Sequence, residues 1–153
     1  MAFVSTGLAS RLLGTESFAN LMLNGCIEVR SGTPPASADA EATGVLLTRI
    51  TRDGGAWNAG NPANGLQWQR DGRYIIPATG QVWRMTGLAG GVATWFRILG
   101  NELDLGTASL TALRVDGLVA DVNSGTPADL YVPTLTIAPG TTRRVDAFWV
   151  SIY

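Results

Sequence analysis

The chain has 153 residues and a net charge of −1, and it contains no histidine; all 11 of its cationic side chains are arginine. Without histidine or lysine it lacks the commonest general acid–base group, the Schiff-base amine and the usual neutral metal ligand, which sets most enzyme classes aside. Charged residues are only 15% of the chain, against roughly 25% in ordinary soluble domains, so its surface costs less to desolvate and suits burial against a neighbour.

Helical spacing is confined to residues 5–23. Ser5 or Thr6 is placed to cap a first turn, and Leu8 and Leu12 share a face. Gly14 interrupts the pattern before Phe18, Leu21 and Met22 resume it, which predicts one broken helix or two short ones. Such a segment either packs on its own chain or reaches as an arm to a neighbouring subunit. The expected organisation is therefore an N-terminal helical segment or arm over 1–24 and a single β-sandwich domain over 25–153. No basic stretch precedes an apolar one as in a signal peptide, and no apolar run is long enough to span a membrane.

From residue 25 the period becomes two. Ile27 and Val29 alternate with Cys26, Glu28 and Arg30. Cys26, the single cysteine, sits in an apolar setting and is expected to be a small buried hydrophobe rather than a reactive thiol. The run 32–44, with Pro34 and Pro35, predicts an extended loop. Val45 to Thr51 predicts a strand that closes at Arg52-Asp-Gly-Gly. Residues 53–65, rich in Gly, Asn and Ala around Trp57, predict a long surface loop, and long loops are often functional.

Short strands are predicted at Leu66–Gln69, Arg73–Ile76 and Val82–Thr86, with a hairpin turn at Leu88 to Gly91. Val92 to Leu99 is the strongest strand pattern, with Val92, Phe96 and Ile98 on one face and Trp95 and Arg97 on the other. Ser109 to Val115 predicts a strand ending at Asp116-Gly117, followed by a short strand at Leu118–Val122. Leu130 to Ile137 contains Pro133, which predicts an edge strand. Val145 to Tyr153 predicts the last strand, with Phe148, Val150 and Ile152 on one face. Many short strands separated by turns predict an all-β fold, an antiparallel β-sandwich of jelly-roll type with the short helical segment at its start.

No constellation for catalysis emerges. There is no base for a serine nucleophile, no nucleophile elbow and no phosphate-cradling Gly-Lys-Ser/Thr. One cysteine and no histidine exclude zinc, copper and iron sites, so no cofactor is expected. Oxygen ligands for calcium exist at Glu102, Asp104, Asp116 and Asp121, but acids at turns ordinarily accept backbone hydrogen bonds. A carboxylate-only glycosidase needs a facing pair of acids, and nothing in the spacing singles one out. The arginines are spread along the chain, so no nucleic-acid partner is expected. No membrane partner is expected either.

Five tryptophans are many for this length. Trp95 and Trp149 lie beside strong apolar residues and are expected in or near the core; Trp68 and Trp83 fit either face. Trp57, in its glycine-rich loop, is the best candidate for contact with a partner. Pro34, Pro35, Asn61 and Arg52, on or beside the two long loops, complete the candidate partner-binding set. Trp57, Trp68 and Trp83 are the alternative: a sugar-stacking platform.

Residues 21–40, Leu-Met-Leu-Asn-Gly-Cys-Ile-Glu-Val-Arg-Ser-Gly-Thr-Pro-Pro-Ala-Ser-Ala-Asp-Ala, with Thr43–Leu47, Ala93–Ile98, Val115–Gly117 and Gly125–Leu130, resemble small virion proteins of tailed bacteriophages. These are framework motifs rather than catalytic ones. The resemblance implies a capsid cement, or decoration, protein with a jelly-roll-like sandwich that binds the outside of the shell. Its expected partners are the phage major capsid protein and itself, as a homodimer or, second, a trimer. Its expected location is the virion exterior, after synthesis in the host bacterial cytoplasm. A tail- or fibre-associated carbohydrate-binding module for host attachment is the alternative.

Overall fold

The computed structural model describes residues 2–145, 147–148 and 150–151. Trp149, Ile152 and Tyr153, expected in the last strand, lie outside the described residues.

The opening segment forms a short strand and two helices: β1 (Phe3–Val4), α1 (Thr6–Leu12) and α2 (Phe18–Leu21). Serines start both helices. The Ser5 hydroxyl accepts from Leu8 N at 3.2 Å, and the Ser17 hydroxyl from Asn20 N at 3.3 Å, satisfying N–H groups that have no partner within the helix. Leu8, Phe18, Leu21 and Met22 are buried in the main apolar cluster. The segment thus packs on its own chain, tied further by Ser5 N donating to Arg114 O at 3.0 Å.

The strands that follow are β2 (Cys26–Arg30), β3 (Leu46–Arg52), β4 (Trp68–Asp71), β5 (Tyr74–Pro77), β6 (Trp83–Gly87), β7 (Gly91–Val92) and β8 (Trp95–Leu99). After them come β9 (Arg114–Asp121), β10 (Leu130–Val132), β11 (Thr136–Ile137), β12 (Thr142–Val145), β13 (Ala147–Phe148) and β14 (Val150–Ser151). The fold is all-β, with antiparallel pairing throughout its sheets except where β10 runs parallel to β9.

The main sheet has nine strands, in the order β12-β6-β3-β2-β8-β9-β10-β13, with β1 also on β9. β9 is long enough to hold β8 on one side and to share its other side between β1, at Val115 and Asp116, and β10, at Val119 to Asp121. The outermost strands, β12 and β13, are one residue apart in sequence. The chain therefore passes directly from one edge of the open main sheet to the other. β7 pairs with β11, and β14-β5-β4 form a small third sheet.

The inner face carries Ile27, Val29, Ile50, Met85, Phe96, Ile98, Val115 and Val119, all buried. Burial of each such side chain stabilises the fold by about 1.5–3 kcal/mol. At the centre Trp68 lies 4.8 Å from Trp83 and 5.5 Å from Phe148 between ring centroids, with Phe18 edge-on to it at 5.4 Å. The polar edges are satisfied: Trp68 Nε1 donates to Met22 O at 3.0 Å and Trp83 Nε1 to Gln81 Oε1 at 2.8 Å.

Four strand expectations need correction. Asp116-Gly117 is not a turn; β9 runs through both. A Cβ on Gly117 would lie 2.6 Å from the Phe96 ring, so glycine is there to let an aromatic ring come close against the backbone of the neighbouring strand. Residues 109–113 belong to the loop before β9 rather than to a strand. The Pro133 strand is split into β10 and β11, and β10 is not at an edge, because β9 and β13 flank it. Val92 likewise separates from Trp95–Leu99 and is exposed.

Candidate functional site

The outer face of the main sheet is lined with charge. Register places Arg49 opposite Glu28, Glu28 opposite Arg97, and Arg97 opposite Asp116, a row of alternating sign across β3, β2, β8 and β9. Directly opposed unlike charges stabilise a sheet. Glu28 takes Arg30 on one oxygen (Nη2 at 2.8 Å) and Arg49 on the other (Nη2 at 2.9 Å). Arg97 holds Asp116 through Nε and Nη2, both at 2.7 Å. Arg114 holds Asp104 in the same two-pronged way, both at 2.6 Å. Arginine's planar fork matches carboxylates in this geometry; lysine's does not.

Loops roof this row. The 31–45 loop brings the Ala38 and Ala40 carbonyls onto Arg114, at 3.3 and 3.4 Å, and Ala40 O also onto Arg97 Nη2 at 3.2 Å. The 100–113 loop brings Asp104, and Thr107 O onto Arg114 Nη2 at 2.7 Å. Ala42 N donates to Gly106 O at 2.7 Å, joining those two loops, and Gly60 N donates to Asn101 O at 2.9 Å, joining the 53–67 loop to the same layer. Trp95, on the outer face, lies buried beneath, with Arg97 at 5.6 Å and Arg30 at 6.0 Å from its ring centroid.

Burial pushes the Asp116 carboxyl up, against the pull of Arg97 and Arg114. Burial acts the same way on Asp104, but hydrogen bonds from Arg114 and Gly106 and the nearby arginine charges outweigh it and hold that carboxyl below its usual range. Cys26 is fully buried on this face, and burial together with the Glu28 charge pushes its thiol up, away from thiolate.

Two pockets open beside Arg49. One, of about 130 Å³, lies over the charge row between Arg30, Arg49, Arg97 and Asp104. The other, of about 280 Å³, is lined by Trp57, Leu88, Thr86 and the Gly54-Gly55 turn. No family model, curated protein or solved structure matches this chain.

The expected contact residues scatter over the loop layer. Trp57 is half-buried: its Nε1 donates to Asn24 O at 2.8 Å, and Arg49 lies 6.0 Å from its ring centroid. Pro34 is exposed and Pro35 half-buried on the 31–45 loop. Asn61 is exposed and accepts from Ala63 N at 2.9 Å. Arg52 is exposed beside Asp53 at 3.7 Å. The loop linkage connects these positions through the 100–113 loop, which the sequence pattern had partly assigned to a strand. That loop carries Leu103 and Leu105, each 78% exposed, and Leu110, 67% exposed. Leucines set among Gly, Asn, Asp and Thr were the available signal.

The sugar-platform alternative loses its geometry: Trp68 and Trp83 are in the core, so only Trp57 of the three reaches the surface. The acids Glu28, Asp104 and Asp116 are committed to arginines. Among the described residues no group of three or more His, Cys, Asp or Glu side chains is placed to hold a metal ion. No helix among them is long and apolar enough to cross a membrane.

Proposed function

We propose that this protein is a capsid cement protein of a tailed bacteriophage, binding the outer surface of the shell and acting by contact rather than catalysis. The observation that carries this reading is the continuous layer of three loops with Leu103, Leu105 and Leu110 projecting from it. Apolar side chains standing clear of a weakly charged surface gain most when another protein covers them. The framework motifs shared with small virion proteins supply the partner class, the major capsid protein. A jelly-roll sandwich is the architecture that goes with this role; the largely antiparallel all-β fold, with the two edge strands of its main sheet one residue apart in sequence, supports it.

The mechanism is passive. The charge row fixes the loops to a rigid sheet, so little ordering entropy is lost on docking. Weak contacts repeated over a shell, by a homodimer or a trimer, add through multivalency. The test is to mix purified protein with capsids that lack it. Saturable binding at a fixed copy number per capsid subunit, with a raised rupture temperature, supports the role; absence of binding rejects it and moves the protein to the tail or host-attachment reading.

A further inference from the structure

We propose that the 130 Å³ pocket over the charge row is a binding site for one small carboxylate, held by Arg97 with Arg30 and Arg49.

Arg97 is 1% exposed, and its Nη1 has no hydrogen-bond partner among the described residues. The guanidinium is planar. With Nε and Nη2 both turned to Asp116 on β9, Nη1 lies on the opposite side of the planar group, and Arg97 is among the residues that line the pocket. A buried donor of a charged group left unmade carries its full desolvation penalty.

The network cannot satisfy it from within. Glu28 spends one oxygen on Arg30 and the other on Arg49; Asp104 spends both on Arg114; Asp116 spends both on Arg97. Asp39, at the rim, holds Thr6 through both oxygens. Counting Asp39 with Glu28, Asp104 and Asp116, four carboxylates face the four arginines 30, 49, 97 and 114; the excess is local to the pocket, where Arg30 and Arg49 share the single charge of Glu28. An anion suits that local excess, and a cation would add to it. The volume is that of about four waters, enough for a short acid. Leu46, Leu99 and Leu105 wall the same pocket and suit the acid's carbon end. Guanidinium and carboxylate match in plane and spacing.

Acetate and propionate are titrated into the full chain, with chloride holding ionic strength constant, and the arginine Nε–Hε signals followed by NMR. The expected result is saturable shifts confined to a few arginines, and a melting temperature raised by about 3–5 °C at ten times Kd. Arg49→Gln, at a side chain 38% exposed and so expected to fold, should weaken binding at least about tenfold, since it removes one charge-assisted partner. Arg70→Gln, at an exposed arginine on β4, should not change it. Shifts that are linear and equal in chloride, or binding unaltered in Arg49→Gln, overturn the proposal. Blocked N-acetyl-glutamate N-methylamide separates the sources: tighter binding than acetate points to an acidic side chain of a docking protein, and binding of free acids alone points to a metabolite. The experiment uses no capsid, so its failure leaves the cement role standing, and the converse also holds.

Discussion

Replacing Gly117 by alanine tests the packing logic of the sheet. The new methyl would lie 2.6 Å from Phe96 Cε1 and Cζ and 2.8 Å from Asp129 Oδ2. Ordinary carbon contacts are about 3.5–4.0 Å, so the overlap is close to 1 Å. Phe96 has no room to retreat: it is fully buried, with Phe148 at 5.9 Å between centroids. Overpacking of this kind costs about 1–3 kcal/mol, and two clashing ring carbons with a carboxylate behind them place Gly117→Ala near 2–3 kcal/mol. Urea unfolding should show a lower midpoint with an unchanged m-value. Phe96→Leu removes the obstructing ring edge, so Gly117→Ala should cost at least about 1 kcal/mol less in that background. A Gly117→Ala protein within 0.5 kcal/mol of the parent, or a double mutant whose losses simply add, would refute this account of β9.

Asp104→Asn leaves the buried Arg114 without its carboxylate and should cost about 3 kcal/mol near pH 7. Because the folded Asp104 carboxyl titrates below its unfolded value, the stability it contributes is complete above about pH 4 and is lost as pH falls further; a stability–pH curve should lose part of its acid limb in the variant, and an unchanged limb would count against the pairing. Cys26 should resist a thiol reagent in the native protein and react at the unfolding rate, whereas fast native labelling would mean that the outer face is open. Leu105→Asp should keep stability within about 0.5 kcal/mol and weaken capsid binding at least about tenfold; full binding would remove the 100–113 loop from the interface.

Much of the framework was legible because it is local. Phe96 and Ile98 alternate with Trp95 and Arg97 as the strand period requires, and Ser5 caps a helix whose Leu8 faces inward. The failures are long-range. Asp116-Gly117 carries the signature of a turn, and only Phe96, far earlier in the chain and on the adjoining strand, reveals why glycine stands inside β9. Glu28 has Arg30 beside it on its own strand; strand register alone sets it between Arg49 and Arg97. The loop acid Asp104 fitted an acceptor of backbone hydrogen bonds, and it does accept one from Gly106 N at 2.8 Å, but its main partner is Arg114, ten residues on. Trp68 and Trp83 fitted either face; packing of the small β14-β5-β4 sheet against the main sheet brings Trp68 onto Trp83 in the core.

Residues 142–151 touch β6, then β10, then β5 in quick succession. Until that stretch has left the ribosome, β6 and β10 each present an open row of backbone donors and acceptors, the template on which foreign strands add. The order of synthesis thus puts the fastening piece after the strands it fastens. A chain cut before residue 142 would keep nearly all of its apolar residues and still be a hazard to its neighbours, polymerising edge to edge instead of closing on itself.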